Sequence, residues 1–142
     1  MPIADRAPVG LALRTASYAF RRALQEELPA GLSLPLVAVL ARLDEEDGLS
    51  GAELARRELV TAQTMNQLVV RLLDLGLVER RRHQTHGRIL TIHVTRAGQR
   101  TLDRCAAIAG RIEERMLVGF STAERRRLLA SLQRCAETIA PV

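Results

Sequence analysis

The sequence contains no lysine, no tryptophan, only two cysteines, and only one tyrosine and two phenylalanines among its 142 residues. Two cysteines are too few for a disulfide framework, which agrees with a reducing compartment. The scarcity of aromatic residues argues against the base-stacking surfaces of proteins that bind single-stranded nucleic acid. No apolar run reaches the roughly 20 residues of a membrane helix, and the N-terminus does not resemble a signal peptide. We therefore expect a cytoplasmic protein without a membrane partner.

The basic residues of the chain are all of one type. All 21 basic residues are arginine, and against 16 acidic residues they give a net charge of +5. Such an excess favours an acidic partner, nucleic acid first, although arginine in place of lysine can equally reflect genome composition. With 47% hydrophobic and 26% charged residues, the chain is typical of a folded domain with a real core.

Helical periodicity, capping residues and turns predict the order α-α-α-α-β-β-α-α, a mainly helical fold. The first helix extends from about residue 8 to residue 28. Ser33 is placed to cap a short, apolar second helix. That helix ends at the acidic run DEEDG (residues 44–48), which we expect to be a solvated charge run with no catalytic role.

The centre of the sequence has the pattern of a helix-turn-helix. Ser50 and Glu53 are spaced as a capping box at the start of a short helix. Thr61 is the expected cap of the next helix, which has an apolar face and an opposite polar face. Two strand-like segments follow, LVERRR and RILTIHV, and HQTHG between them indicates a hairpin loop. A hairpin directly after a helix-turn-helix makes a winged helix.

This arrangement suits duplex DNA, because a helix fits the major groove and Gln and Asn side chains pair with base edges. Free amides at the start of the second helix, near Thr61 and Thr64, favour a phosphate. Arginines of the wing would meet further phosphates. The alternative is a winged helix that binds protein, and the polar helix face beside an arginine-rich wing favours DNA. The candidate DNA contacts are Thr61, Gln63, Thr64, Asn66, Gln67, Arg71, Arg80, Arg82 and Arg88.

Two further helices follow the wing. Thr95 is the expected cap of the first, whose apolar stripe includes Cys105. A capping box at Ser121 and Glu124 opens the second, whose inward stripe includes Cys135. The two thiols could face each other across this helical hairpin, so an oxidation-responsive regulator stays open as an alternative. Buried structural thiols are the favoured interpretation.

No catalytic motif, phosphate loop or cofactor-binding motif is found in the sequence, and we expect no enzyme activity and no cofactor. The three histidines, His83, His86 and His93, raise the possibility of zinc. A zinc site needs three or four converging donors, usually with cysteine or carboxylate, and His93 has no acidic residue near it in sequence. We expect solvated or phosphate-facing histidines and no metal.

The stretch LSGAELARRELVTAQTMNQLVVRLLDLGLVERRR, followed by GRILTIHVTRAGQ, resembles the MarR family of bacterial winged-helix regulators. The resemblance extends over nearly the whole chain, and its most diagnostic pieces are ELARR, LVVRLLDLGLVERR and VTRAG. It implies a ligand-responsive repressor that binds a roughly palindromic site as a homodimer. Residues 1–30 and 98–142 would form the helical dimerisation region, and residues 31–97 the winged helix-turn-helix domain.

The resemblance also implies roles for particular residues. Thr61 to Gln67 would enter the major groove, and Arg88 matches the family's wing arginine, which reaches the minor groove or its flanking phosphates. His86 departs from the pattern, because the family usually carries there an aspartate that braces the arginine. A small-molecule effector would bind between the dimer helices and the winged domain. Arg14, Tyr18 and Phe20 are candidates for that pocket, and packing of the first helix is the alternative role of the two aromatics.

Overall fold

The fold is mainly helical, as predicted, with a small sheet at its centre. The computed structural model describes residues 1–140, so the last two residues of the expected dimerisation region lie outside it. The elements are α1 (Ile3–Arg6), α2 (Pro8–Glu27), α3 (Leu34–Glu45), β1 (Leu49–Ser50), α4 (Gly51–Arg57), α5 (Ala62–Asp74), β2 (Val78–Arg82), β3 (Leu90–Val94), α6 (Arg96–Met116) and α7 (Thr122–Ile139). The four-residue α1 and the two-residue β1 were not expected from the sequence.

The wing is a three-stranded antiparallel sheet rather than a two-stranded hairpin. Its strand order is β1-β3-β2. Val78 lies opposite Val94 where β2 pairs with β3, and Leu49 lies opposite Ile92 where β1 pairs with β3. A two-residue strand carries no alternation of its own, and it exists because β3 offers its free edge. This added strand fixes the base of the wing to the segment between α3 and α4.

The main core lies between α3, α4, α5 and the sheet. Its buried apolar residues fall between Leu36 and Leu102. Those with the least exposure are Val39, Leu40, Leu43, Leu54, Met65, Val69 and Leu72. The helix-turn-helix and the wing therefore share one core, which holds the two prospective DNA-contacting elements in a fixed relation.

The predicted caps are present at the helix starts, with two differences: Ser33 precedes α3, but its side chain makes no capping hydrogen bond, and one of the two capping boxes is incomplete. Ser121 and Glu124 form the complete capping box at α7, and Thr95 accepts a hydrogen bond from the amide of Gly98 at α6. At α4, Ser50 accepts from the amide of Glu53, but the structure shows no return bond from the Glu53 side chain. The second capping box is thus confirmed, and the first is only half formed.

The last helix does not pack as the sequence suggested. Helix α7 has no buried residue and makes few contacts with the other elements. Along its apolar stripe Leu129, Leu132 and Ile139 are 59%, 44% and 84% exposed. Cys135 is exposed and Cys105 is buried in α6, so the prediction that both thiols lie inward on facing stripes is wrong for Cys135 within one chain. The stripe of α7 is apolar, yet the single chain supplies no surface to cover it.

Candidate nucleic-acid interface

Helix α5 presents a polar face to solvent and an apolar face to the core. Met65, Val69 and Leu72 are buried, because residues three and four apart fall on one side of a helix. The opposite side carries exposed residues from the start of the helix to its last turn: Gln63, Thr64, Asn66, Gln67, Val70 and Arg71. All the side chains predicted to read DNA from this helix are therefore at the surface.

The two threonines at the start of α5 have different roles. The Thr64 amide donates to Thr61 Oγ1 over 3.1 Å, and the Thr61 hydroxyl donates to Thr64 Oγ1 over 2.9 Å. The single proton of the Thr61 hydroxyl is thereby used within the protein. The proton of the Thr64 hydroxyl remains available to an outside acceptor. Thr61 is consequently a capping residue that orients Thr64, and Thr64 is the better candidate for a direct phosphate contact.

The tip of the wing, residues 83–89, is a folded turn. The His83 amide donates to the Ile89 carbonyl over 2.8 Å, and the Ile89 amide donates to the His86 carbonyl over 2.8 Å. His83 Nδ1 accepts from the amides of Thr85 and His86, each over 3.2 Å. The side chain of His83 is therefore held by hydrogen bonds rather than freely solvated. It stabilises the tip in which His86 stands at the position of the expected aspartate.

A groove of about 600 Å³ separates α5 from the wing. Three of the predicted contacts, Asn66, Arg80 and Arg88, line it together with the first residues of α4. An Arg80 guanidinium nitrogen lies 3.5 Å from Asn66 Oδ1, at the limit of a hydrogen bond. Within residues 1–140 the side chain of Arg88 makes no hydrogen bond or ion pair, so its charge is available to a ligand in the groove.

Two other arginines that were predicted from the sequence to contact DNA do not line this groove. Arg82 is exposed at the end of β2, beside the tip of the wing. Arg71 does not line the groove, because its guanidinium lies near Gly31, where an added Cβ would be 3.5 Å from the Arg71 Nη2 atom. Arg71 therefore faces the loop before α3. The neighbouring Arg81 is held by Glu79 on the same strand.

The acidic run at the end of α3 is exposed to solvent, as expected from the sequence, and three of its carboxylates also pair with basic side chains. Glu45 and Glu46 pair with Arg42 and Arg57, over 3.0 Å and 2.9 Å. Asp47 Oδ2 lies 2.9 Å from His93 Nδ1. His93 is only 14% exposed, so the interpretation as a solvated or phosphate-facing histidine is wrong for this residue. Its partner lies 46 residues away, and no local pattern could have revealed it.

Residues 1–140 offer no group of three or more histidine, cysteine, aspartate or glutamate side chains arranged to hold a metal ion. Over the same span no helix has the length and apolarity needed to cross a bilayer. Burial raises the pKa of the Cys105 thiol, and the charge of Arg104 opposes this only in part. A buried thiol with a raised pKa is a poor nucleophile at neutral pH.

The three residues proposed for an effector pocket do not lie together. Arg14 and Tyr18 line a surface cavity of about 460 Å³ on α2, with Arg21 and with Leu34 at the start of α3. Phe20 lines a different cavity against α6. Residues two apart on a helix point in nearly opposite directions, so Tyr18 and Phe20 cannot share a pocket on α2.

A capped helix with an exposed polar face, a wing bearing arginines and a groove between them define a winged helix-turn-helix protein. Its charge and its exposed Gln, Asn and Thr side chains match the chemistry of a duplex nucleic acid.

Comparison with known proteins agrees with this class. A model of the MarR family matches residues 30–89. The HTH-type transcriptional repressor Rv2887 of Mycobacterium tuberculosis, strain H37Rv, is 33% identical over 135 residues, which cover 94% of this chain and 97% of that protein.

Two crystal structures of the Mycobacterium tuberculosis MarR family protein Rv2887 are similar to this chain. The complex with salicylic acid has a TM-score of 0.75 at 33% identity and covers 93% of this chain and 98% of that chain. The complex with DNA has a TM-score of 0.77 at 29% identity and covers 91% and 98%. The chain belongs to the MarR family.

Proposed function

We propose that this protein is a transcriptional repressor that binds duplex DNA through α5 and the wing. The observation that carries the proposal is the groove between these two elements, which brings Asn66, Arg80 and Arg88 together with no carboxylate among its lining residues. The relative Rv2887, whose structure was determined with DNA, is named a transcriptional repressor. The site of action is the cytoplasm, because that is where a bacterial chromosome lies.

The contacts divide into two kinds. Arg80, Arg82 and Arg88 of the wing contact DNA phosphates. The hydroxyl of Thr64 at the start of α5 contacts another phosphate. Phosphate contacts supply affinity for any sequence and make binding depend strongly on salt. The exposed amides Gln63, Asn66 and Gln67 face base edges in the major groove, where they select the site.

The functional unit is a homodimer. The exposed apolar residues lie mainly on α1, on α2, on α7 and in the turn before α7, including Ile3, Val9, Phe120, Leu129 and Ile139. A second copy covers these surfaces around a twofold axis and doubles the DNA-binding surface. Residues 1–30 and 98–142 then form the dimerisation region, and residues 31–97 the DNA-binding domain. Sedimentation should give a dimer at micromolar concentration, and a monomer would contradict this assembly.

The effector is an aromatic carboxylate that binds at the α2 cavity. Arg14 and Arg21 can pair with a carboxylate, and the ring of Tyr18 can pack against an aromatic ligand. The cavity of about 460 Å³ falls in the range of small-molecule sites. The relative Rv2887 was crystallised with salicylic acid.

Salicylate is a suitable probe of this site. It should release the wild-type protein from DNA, and Arg14→Ala should raise the concentration needed by at least about tenfold, the size of a lost charge-assisted hydrogen bond. Phe20→Leu, in a different cavity, should respond as the wild type does. An equal response of Arg14→Ala and the wild type would place the effector elsewhere.

Selection of bound duplexes from a random pool tests the proposed function directly. We expect enrichment of a roughly palindromic sequence whose half-sites are one helical turn apart, about 10 base pairs from centre to centre. Arg88→Ala should weaken binding to every duplex, and Arg100→Ala, on the exposed side of α6 and outside the groove, is its matched control, since each removes one exposed arginine. If no sequence is enriched and the binding of duplex DNA does not depend on salt, the result would favour a module that binds protein.

A further inference from the structure

A chain of hydrogen bonds crosses the base of the wing through His93. His93 Nδ1 lies 3.0 Å and 2.9 Å from the two carboxylate oxygens of Asp47, in the turn between α3 and β1. On the other side of the ring, Nε2 lies 2.8 Å from the hydroxyl of Thr91. That hydroxyl lies 3.3 Å from the carbonyl oxygen of Arg81 on β2. The chain therefore joins the α3–β1 turn to both long strands of the wing.

The donors and acceptors in this chain can all be satisfied in only one protonation state. A carboxylate and a carbonyl oxygen only accept, so Nδ1 of His93 must carry a proton for Asp47. If the single hydroxyl proton of Thr91 goes to the Arg81 carbonyl, the hydroxyl oxygen must accept a proton from His93 Nε2. Both ring nitrogens then carry protons, and His93 is a cation. In neutral His93 the Thr91 hydroxyl must turn to Nε2, and the bond to Arg81 is lost.

The residues around the ring pack closely against this chain of bonds. Gly48 has φ +76°, and a Cβ there would be 3.1 Å from His93 Cε1, so the glycine lets the turn approach the ring closely. Thr91 is only 8% exposed, which shields the inner part of the chain from water. The bonds within this pocket are consequently stronger than those of a freely hydrated histidine.

Other charged groups near His93 leave Asp47 as its main counter-ion. Glu79 lies directly opposite His93 on β2, but its carboxylate is engaged by Arg81. Glu46 in the same turn as Asp47 is engaged by Arg57 of α4. On the α6 side, Arg96 is exposed, three residues further along the chain.

We infer that His93 is a positioning residue which, in its protonated form, fixes the base of the wing to the α3–β1 turn and so strengthens DNA binding. The inference rests on the proposed function for its link to DNA, whereas the anchor itself belongs to the free protein. Because the bond from Thr91 to Arg81 exists only while His93 is protonated, the anchor is present at lower pH and is lost as the pH rises. Histidine is the side chain that changes charge in the physiological range.

The anchor can be measured without DNA. Nitrogen NMR of the His93 ring reports whether both nitrogens carry protons. Hydrogen exchange of the Arg81 and Thr91 amides, corrected for the intrinsic effect of pH, reports how stably β2 and β3 are paired in the wing. Between about pH 6 and pH 8, protection in the wild type should fall by about fivefold to tenfold, the size of one ordinary hydrogen bond such as that from Thr91 to the Arg81 carbonyl. The fall should be absent in His93→Gln and in Thr91→Val, which keeps the shape of Thr91 but has no hydroxyl.

His86→Gln is the matched control, because it removes an exposed wing histidine outside the chain of bonds. It should keep the wild-type fall in protection. An identical pH profile in His93→Gln and the wild type, or a His93 ring with a single proton down to about pH 5, would overturn the anchor.

The link to DNA is tested with the duplex selected from the random pool. The loss of wild-type affinity between the same two pH values should exceed that of His93→Gln by about fivefold to tenfold, the same factor as for the anchor. Equal losses would overturn the role of the anchor in DNA binding. If no variant binds any duplex, the proposed function fails, and the exchange data still decide whether the anchor exists.

Discussion

Gly98, in the first turn of α6, lies directly against the carbonyl oxygen of Leu77. A Cβ at Gly98 would be 2.1 Å from that oxygen and 2.7 Å from Cγ1 of Val94. The same carbonyl accepts a hydrogen bond from the amide of Thr95 over 3.0 Å. Only a hydrogen atom fits at this point, so the glycine fixes how closely α6 approaches the base of the wing.

Gly98→Ala should therefore lower the free energy of unfolding by about 2 kcal/mol or more, because the obstacle is backbone and cannot rotate away. The matched control is Gly110→Ala in the same helix, where a Cβ meets nothing within 4 Å. That change should raise the free energy of unfolding by up to about 1 kcal/mol, the helix propensity of alanine over glycine. Urea unfolding measures both, and similar effects of the two changes would contradict the contact.

The Cys105 thiol should make the protein less stable at alkaline pH. Burial raises the pKa of this thiol above its ordinary value of 9.0, so between the two values the folded chain keeps a proton that the unfolded chain releases. The resulting stabilisation is complete below the ordinary value and is lost as the pH rises through the folded value. The chain has no lysine, so few other groups titrate there. Cys105→Ala should show a smaller loss of unfolding free energy between about pH 8 and pH 10, and equal losses would contradict the shift.

Peroxide should leave DNA binding unchanged in the wild type and in Cys105→Ser alike. Cys105 is buried and Cys135 is exposed, so the two thiols do not face each other within one chain. The thiol with the raised pKa holds little of the thiolate form that peroxide attacks. A loss of DNA affinity in peroxide that Cys105→Ser abolishes would restore the alternative of an oxidation-responsive regulator.

Structural features that depend on residues close together in the chain could be predicted from the sequence. We predicted the caps at Thr61, Thr95 and Ser121, because a cap depends on a residue three positions further along the chain. We also predicted the hairpin after α5, because strands show a two-residue alternation. The pairing of Asp47 with His93 and the strand β1 could not be predicted, because each depends on a partner more than 40 residues away. The stripe of α7 was correctly seen as apolar, but what covers it is not part of the chain.

The candidate DNA-binding surface follows the same division. Helical periodicity placed Gln63, Asn66 and Gln67 on the outer face. It could not show that the Thr61 hydroxyl is used by Thr64, or that Arg71 faces the loop before α3. Those facts depend on the packing of the whole domain, which local spacing does not determine.

Thr61 and Thr64 should differ when each loses its hydroxyl group. Thr61→Ala removes the cap of α5 and should lower the free energy of unfolding by about 1 kcal/mol, with weaker binding to every duplex. Thr64→Val should change stability little, since Thr64 is exposed, but should weaken DNA binding by the loss of one phosphate contact. Thr61→Ser keeps the cap and is the control. Thermal unfolding and fluorescence anisotropy with a labelled duplex separate the two effects, and equal stability of the two variants would contradict the assigned roles.

Gln67 and Arg88 should affect DNA binding in different ways. Gln67→Ala removes a base contact and should lower the preference for the selected duplex over a scrambled one, by about 1–3 kcal/mol for a bidentate pair. Arg88→Ala should weaken binding to both duplexes to a similar extent and reduce the slope of log K against log salt by about 1. Affinities measured at several salt concentrations on both duplexes give the two quantities together. If the two variants behave alike on matched and scrambled duplexes, the division between base-reading helix and phosphate-binding wing is wrong.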